Sequence, residues 1–565
     1  MADNINIGNA ELLFKNFSNY SVLEKQIVLA QKTSPTTYWG GIPLAYDVDR
    51  DLIAVDTGDT HTMVWGSTGS LKTRCVIMPT VKIIGHSGES MIINDPKGEI
   101  YNRCAYELQE NGYKIVVINI REPEYGDAWN PLAIPYEFYL SGNLDRACEF
   151  ANDIAFNLTM DQTSKDDPFW DYSASDLLFG LILLLFRYCK DHKLDESYVN
   201  MSNVMELRRQ LFQNGIRSKY SPLWKYASED EIISASLSGS VCAPDETMHS
   251  ILSVFDQKMR AFVIRPTLLD MLANNDIDIA AVAEEKTAVF LIIPDEKNTY
   301  NTLVSLFIKQ AYEYLIFRAA NNEDLKLHNR VTFVLDEFSS LPPVSAMSSL
   351  ISAARSRDIR FVLAVQGAHQ LKKRYGEEAE TIKSNCLNWI YLTSRELELL
   401  KEISQLCGEQ RSGKPNISIY DLQHFSKKNR EALVLSGRLQ PAKVRLLDID
   451  CFGEDSYTIP DLERKSRSKR SGTKFELSPE ILHRVSPLHA SLSNQEQNTP
   501  APLPSLPDPK PAPQCNIDLK PELASEALQS AASIMDDRYQ ELLKKRQEKK
   551  KAAQEQLSNT HKEAE

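Results

Sequence analysis

Short apolar runs alternate with helical patterns between about residues 50 and 135. The runs HTMVWG, ESMIIND and GYKIVVINI are separated first by a loop rich in glycine and serine, and then by EIYNRCAYELQEN, which has the pattern of a helix. This β-loop-α-β-α-β order predicts a parallel sheet with helices on its faces.

The pattern becomes almost wholly helical from about residue 140 to 280, with polar interruptions at MDQTSKDDP and SLSGSVCAPDE. Strand patterns return from about residue 285 in TAVFLIIPD, RVTFVLDEF, IRFVLAVQG and NWIYLT. The simplest topology is an α/β domain of residues 51–139 and 281–455, interrupted by an all-α domain of residues 140–280. Residues 1–50 form a separate N-terminal segment.

The chain changes character again after about residue 455. RKSRSKR and TPAPLPSLPDPKPAP mark a basic and proline-rich linker over residues 456–520, which cannot form a packed core. Residues 521–565 form a C-terminal tail with apolar residues at helical spacing, followed by KKRQEKKK. We expect an extended tether and a disordered or helical tail that binds a partner or cargo. The run KKRQEKKK would also be explained as the solvent-exposed basic face of a helix.

Composition limits the class of protein. The chain has 565 residues, enough for two or three domains, and 42% hydrophobic with 25% charged residues is typical of a soluble globular protein. Its nine cysteines are scattered, with no C-x-x-C and no metal-ligand spacing, which favours buried thiols in a reducing cytosol. A net charge of -13 argues against a surface coated for nucleic acid but leaves a local basic channel open.

No segment has the pattern of a membrane span. The first forty residues lack a basic region followed by an apolar core, and the most apolar run, LLFGLILLLF, is only ten residues long between Asp176 and Arg187. The sequence therefore predicts a cytoplasmic protein.

The stretch HTMVWGSTGSLKTR nearly matches the phosphate-binding pattern G-x-x-x-x-G-K-[ST]. Gly66, Lys72 and Thr73 fit it, but Leu71 replaces the second glycine. Such a loop presents backbone N–H groups and a helix N-terminus to phosphates, while Lys72 neutralises β/γ charge. The predicted ATP-binding residues are Gly66, Ser67, Thr68, Gly69, Ser70, Leu71, Lys72, Thr73 and Asp336. The alternative is a plain Gly/Ser turn before a helix.

Two acids follow the apolar run of RVTFVLDEF, where an open parallel sheet binds its ligands. In a nucleotide motor the first acid, Asp336, holds Mg²⁺ partly through water together with the Thr73 hydroxyl. The second, Glu337, orients or deprotonates the attacking water. A strand end with a solvated turn explains the acids equally well. The phosphate loop at the end of an earlier strand favours the nucleotide site.

A series of segments in order resembles a known family. These are GSTGSLKTR, INDPKGEIY, AWNPL, DPFWDYSASDLLFGLI, FLIIPD, FVLDEF, AARSRDIRFVLAVQGAHQLKKRYG and SNCLNWIYL. The series resembles the coupling ATPases of type IV secretion and bacterial conjugation over about residues 50–455. The resemblance implies a RecA-like P-loop motor domain with an inserted all-α domain. It also implies a homo-hexameric ring at the inner membrane that passes a DNA–relaxase complex or protein effectors to a secretion channel.

The resemblance also implies two further site residues. The arginine finger that reaches a neighbour's nucleotide falls on Arg355 in AARSRD, and the polar sensor at the end of the next strand falls on Gln366. With Glu337 these are the predicted catalytic residues. Arg355 would also be explained as a solvated arginine on a helix, and Arg357 is a competing candidate for the finger. Gln366 would also be explained as a polar residue at the end of a strand.

The chain departs from the family at its N-terminus and in its insertion. Members usually begin with transmembrane helices and residues 1–60 contain none, so we expect a soluble variant. It would lie peripherally at the bacterial inner membrane through a partner protein. The inserted domain is acidic in SKDDPFWDY and SEDEIISAS. This charge favours binding of a protein cargo and disfavours binding of a nucleic-acid phosphate backbone. Single-stranded DNA would contact loops that line the pore of the ring.

Leu71 is the sharpest departure, and it leaves the function open. We expect helical backbone angles there, with a side chain that either crowds the phosphates or packs outward against the sheet. An active ATPase and a nucleotide-inactive cargo receptor with the same fold are therefore both possible. A cytosolic DNA translocase is the third hypothesis.

Overall fold

The computed structural model describes residues 27–31, 40–160, 167–212, 221–294, 300–437 and 439–452. The predicted linker and C-terminal tail lie outside the described residues, as does most of the N-terminal segment.

Two sheets form the β-structure of the described chain. The strands of the first are β1 Ile27–Gln31, β2 Ile42–Asp47 and β3 Leu52–Asp56, in the antiparallel order β1-β3-β2. The strands of the second are β4 Thr62–Gly66, β5 Ser90–Asn94, β6 Lys114–Asn119, β7 Thr287–Ile292, β8 Val331–Leu335, β9 Ile359–Val365, β10 Asn388–Thr393, β11 Glu431–Ser436 and β12 Ala442–Arg445.

The larger sheet has the order β12-β11-β10-β4-β9-β8-β5-β7-β6. The seven strands from β10 to β6 are parallel, and β11 and β12 extend the sheet in antiparallel fashion. Each parallel strand coincides with one of the predicted apolar runs, so the predicted α/β class is confirmed. All seven carboxyl ends therefore lie at one edge, which is where such sheets bind ligands.

Helices cover the sheet and fill the interval between β6 and β7. Those of the interval are Ala133–Leu140, Leu144–Thr159, Pro168–Asp191, Met201–Leu211, Pro222–Ala227, Glu231–Val241, Asp245–Val263, Pro266–Met271 and Ile279–Glu284. Those next to the strands are Met78–Ser87, Glu99–Glu110, Asn301–Ala320, Met347–Ala354, Ala368–Tyr375, Glu378–Asn385, Leu397–Leu406 and Ile419–Gln423.

The helix Pro168–Asp191 forms the centre of the helical interval. Asp167 begins it by accepting the N–H of Phe169, and Pro168 is well suited to the first turn. A Cβ on Gly180 would lie 2.6 Å from Leu237 Cδ2, so this glycine permits close contact with the helix Glu231–Val241. In the described part of the chain this helix alone is long and apolar enough to cross a membrane. Its most apolar 18-residue window is 61% buried inside the fold.

The two faces of the sheet pack against separate hydrophobic clusters. In β4, Met63 and Trp65 belong to the large cluster that continues into the helical interval, whereas Val64 belongs to the cluster on the opposite face with Cys75 and Ile77. Each such buried side chain stabilises the fold by about 1.5–3 kcal/mol. The loop after β4 is therefore anchored from both faces of the sheet.

Candidate nucleotide-binding site

The phosphate loop joins β4 to a helix at the carboxyl edge of the sheet. The Ser67 N–H donates to the Thr393 carbonyl at 3.0 Å, which fixes the loop to β10. A π-helical turn, Thr73–Ile77, starts directly after Lys72 and continues into Met78–Ser87. Gly69 and Leu71 have φ values of 75° and 74°. The right-handed Lys72 follows Leu71, and a left-handed residue next to a right-handed one forms the concave N–H arrangement that binds anions.

The structure corrects the expected backbone at Leu71. The expectation of helical backbone angles there is wrong, because φ at Leu71 is 74° and the helical turn begins at Thr73. The side chain is half-buried and packs against the cluster that contains Cys75. The leucine side chain therefore contacts the hydrophobic core, in a conformation that costs a residue with a Cβ about 1–2 kcal/mol.

Lys72 is folded into the loop. Its side chain is buried, and Nζ donates to the Gly66 carbonyl at 2.6 Å and lies 3.5 Å from the Ser67 carbonyl. Burial lowers the pKa of Lys72, while the carboxylates of Glu337 and Asp336 act in the opposite direction. A buried cation beside a concave N–H surface is the arrangement that phosphate oxygens require.

Thr73 and Asp336 meet across the sheet. Thr73 Oγ1 donates to Asp336 Oδ2 at 2.7 Å, and Asn94 Nδ2 donates to the Asp336 carbonyl at 2.6 Å. Burial raises the pKa of Asp336, and the Thr73 hydrogen bond opposes that shift. A hydroxyl and a carboxylate are hard oxygen ligands, so this pair fits a Mg²⁺ ion beside the phosphates.

Glu337 and Gln366 form the second pair at the same edge. Gln366 Nε2 donates to Glu337 Oε2 at 2.6 Å, and Gln370 on the following helix donates to Gln366 Oε1 at 3.5 Å. Glu337 has a φ of 52°, which is uncommon for a residue with a side chain and is often found at functional sites. The structure thus brings together the loop, both acids and the predicted sensor.

Arg355 lies at the opposite edge of the sheet. It precedes β9, whose seven residues span roughly 20 Å, and its guanidinium forms an ion pair with Asp59 Oδ1 at 3.0 Å. Arg357 donates to the Leu325 carbonyl at 3.1 Å. Neither arginine can therefore reach the phosphate loop of its own chain.

His61 anchors the segment before Arg355. Its Nε2 lies 2.9 Å from the Ile351 carbonyl, and Nδ1 accepts the Phe361 N–H at 3.1 Å. Burial lowers the pKa of His61 to about 4. A neutral imidazole thus joins the start of β4 to the helix Met347–Ala354.

Asn94 and Asp95, which follow the apolar run of β5, are two buried polar residues that were not predicted as part of the site. Asn94 holds the Asp336 backbone, and Asp95 is buried with a carboxylate that accepts the Tyr101 N–H at 2.7 Å. Burial raises the pKa of Asp95 to about 7. The signal was present, because ESMIIND ends an apolar run in two polar residues at the same edge as Asp336.

Ion pairs join the phosphate-loop helix to the end of the described chain. Arg74, directly after Thr73, contacts Asp448 at 3.0 Å and also pairs with Asp450. Arg430 contacts Asp448 at 3.4 Å from the other side. The segment after β12 is thereby held against the first turn of the helix.

Comparison with protein families identifies one model. Residues 13–450 match the family described as "Type IV secretory system Conjugative DNA transfer". The chain is 21% identical over 358 residues to the type IV secretion system-coupling protein VirD4 of Bartonella henselae, covering 63% of this chain and 54% of that protein. It is 24% identical over 423 residues to the conjugal transfer protein TraG of Escherichia coli, covering 70% and 62%. The chain thus spans between half and two thirds of these curated relatives.

Solved structures of the plasmid coupling protein TrwB share the fold. The complex of TrwB with ADP and Mg²⁺ has a TM-score of 0.54 at 16% identity, covering 78% of this chain and 93% of that chain. The complex with the non-hydrolysable ATP analogue ADPNP has a TM-score of 0.54 at 15% identity, with the same coverage. At this identity the likeness concerns the fold, so the chemistry of this chain rests on its own residues.

Proposed function

This chain belongs to the type IV secretory system conjugative DNA transfer family, and we propose that it is a coupling ATPase. It would recruit a DNA–relaxase complex or a protein effector and deliver it to a type IV secretion or conjugation channel. The 2.7 Å contact between Thr73 and Asp336 carries the ATPase part of this proposal, because it joins the phosphate loop to an acid 263 residues away. The name of the family and of the relatives supports the delivery part.

Each site residue has a chemical role in this proposal. The loop of Gly66–Lys72 binds the phosphates through its N–H groups, and Lys72 neutralises the β/γ oxygens. Thr73 and Asp336 would hold Mg²⁺, which would supply positive charge beside the phosphate oxygens. Glu337 orients or deprotonates the attacking water, and Gln366 holds the Glu337 carboxylate through its 2.6 Å hydrogen bond.

A homo-hexameric ring would complete the site. Arg355 is remote from the phosphate loop of its own chain and partly exposed, as a finger acting on a neighbouring subunit must be. In this proposal the ring lies in the cytoplasm at the bacterial inner membrane, tethered through a partner protein. It contacts single-stranded DNA or protein cargo and the components of the secretion channel.

Mg²⁺-dependent ATP hydrolysis by the purified protein, with and without single-stranded DNA, tests the proposal. Lys72→Ala and Glu337→Gln should each abolish turnover, whereas Lys114→Ala removes an exposed lysine on β6 and should leave turnover unchanged. A wild-type rate equal to that of Lys72→Ala would show that the chain is not an ATPase.

The nucleotide-inactive cargo receptor is the second candidate, because a strained leucine stands where the phosphate loop has a glycine. The packing of this leucine against the cluster that contains Cys75 weakens that candidate, since the core holds its side chain. Binding of cargo by a protein that neither binds nor hydrolyses ATP would establish the receptor. A cytosolic DNA translocase would instead hydrolyse ATP on DNA without any contact to a secretion channel.

A further inference from the structure

A cavity of about 230 Å³ opens beside the phosphate loop, on the side of β10. Loop residues 67–71 form one wall, and residues 425–431, here called the 425–431 turn, form part of the opposite wall. Phe425, Lys427 and Arg430 are the aromatic and cationic residues that the turn contributes.

Arg430 is strained and imperfectly paired. Its φ is 54°, although an arginine has no conformational advantage there, and its side chain is only 15% exposed. The guanidinium lies 3.4 Å from Asp448 and 3.9 Å from Cys451 Sγ. Its buried Nε donates to no acceptor in the part of the chain that the structure describes. A strained residue with an unmatched buried donor commonly marks a functional position.

Phe425 presents a fixed aromatic ring to the cavity. The ring meets Tyr391 edge to face with 6.0 Å between centroids, and Lys443 Nζ lies 5.3 Å from its centroid. The ring is therefore positioned before any ligand arrives, which lowers the entropic cost of stacking.

The position of the cavity fixes the direction of a nucleotide in the site. Lys72, Thr73 and Asp336 define the γ-phosphate end, on the side of β8 and β9. The cavity lies on the other side of β4, next to β10, so a phosphate chain that crosses the loop from the acids ends there.

We propose that the 425–431 turn binds the nucleoside half of ATP. Phe425 packs against the base, and Arg430, which lines the cavity, donates a guanidinium N–H to an oxygen of the nucleoside. This inference rests on the proposed nucleotide site and adds the residues that recognise a nucleoside rather than a phosphate chain alone.

Binding of MgATP and of magnesium tripolyphosphate, measured side by side by calorimetry, tests the inference. Phe425→Leu keeps an apolar side chain and Arg430→Asn tolerates a positive φ, so both variants should fold. Each should bind ATP about tenfold more weakly, the effect of one lost base contact, and tripolyphosphate within about twofold of wild type. Tyr420→Leu, which removes a ring that is 68% exposed and outside the cavity, should leave both affinities unchanged.

Different failures have different meanings. Equal losses for both ligands in the turn variants would overturn the inference, because a nucleoside contact cannot affect tripolyphosphate, but the proposed phosphate site would stand. Unchanged ATP affinity in those variants, or wild-type affinity for ATP no higher than for tripolyphosphate, would also overturn it. Wild-type protein that binds neither ligand would remove the nucleotide site itself.

Discussion

Replacement of Leu71 tests the strain in the phosphate loop. At a φ of 74° a residue with a Cβ is strained by about 1–2 kcal/mol, and glycine is not. Leu71→Ala keeps this strain and loses the packing of the side chain. Leu71→Gly loses the same packing but relieves the strain.

The two variants should therefore differ in a calculable way. The half-buried leucine stabilises the fold by about 1–1.5 kcal/mol, half the value of a fully buried one, and both variants lose that contribution. Leu71→Gly removes the strain energy of the folded state. It is destabilised by about 0.5–1 kcal/mol because glycine has more conformational freedom in the unfolded chain. We expect Leu71→Gly to be more stable than Leu71→Ala by about 0.5–1 kcal/mol.

Urea unfolding of wild type, Leu71→Ala and Leu71→Gly in one buffer measures this difference in the free energy of unfolding. The control is the pair Tyr106→Ala and Tyr106→Gly, at an exposed site within the helix Glu99–Glu110, where glycine should be the less stable by about 0.5–1 kcal/mol. If Leu71→Gly were also the less stable of its pair, Leu71 would not have a left-handed backbone in solution.

The same variants report on the phosphate site. Because the Leu71 side chain packs against the cluster that contains Cys75, Leu71→Gly should change the affinity for magnesium tripolyphosphate by less than about threefold. Tripolyphosphate is the appropriate ligand because Leu71 also lines the cavity assigned to the nucleoside. Titration calorimetry provides the measurement, and tightening by tenfold or more would show that leucine crowds the phosphates.

The remaining predictions concern the ring, the sensor, pH and the tail. Arg355→Ala should keep ATP affinity but lower turnover at least about tenfold, and mixing it with Glu337→Gln subunits should restore part of the ATPase rate; lost ATP binding would contradict action in trans. Gln366→Ala should lower kcat with little change in ATP affinity, measured by titration and steady-state kinetics, because it frees Glu337 and not the phosphates. Because burial lowers the pKa of His61 to about 4, the unfolded chain takes up a proton between about pH 6.5 and 4 that the folded chain does not, so stability should fall as the pH falls through that window. His61→Gln should show a shallower fall in urea unfolding at pH 7, 6 and 5, and equal slopes would exclude His61 as the cause. Deletion of residues 461–565 should preserve ATPase activity and ring formation but impair transfer of cargo; a collapsed motor would refute the predicted boundary.

The pattern of apolar runs predicts the parallel sheet because buried strands need long apolar stretches. It also places the phosphate loop and Asp336 at one edge, and the structure joins them through the contact between Thr73 and Asp336. The sheet β1-β3-β2 was not predicted, since its strands have only five or six residues and fall mostly in the segment assigned as separate. Short runs have too few positions to establish a period.

The remaining site features depend on conformation rather than residue type. The left-handed backbone at Leu71 and Arg430 cannot be predicted from a leucine or an arginine, because both residues normally avoid it. The pairing of Arg430 with Asp448 depends on the register of β11 against β12, which sets Glu431 opposite Arg445 and for which the sequence has no spacing signal. The assigned roles of Arg355 and Gln366 stay predictions.

The ion pairs of Arg74 have a mechanical consequence. Arg74 follows Thr73 and holds Asp448 and Asp450, and the described chain ends at Phe452. A pulling force on the chain beyond this point would therefore be transmitted through Arg74 to the first turn of the phosphate-loop helix. Under the proposed function, tension from cargo and the contacts to the phosphates would act in series on the same turn, so that load would set the rate at which nucleotide is released.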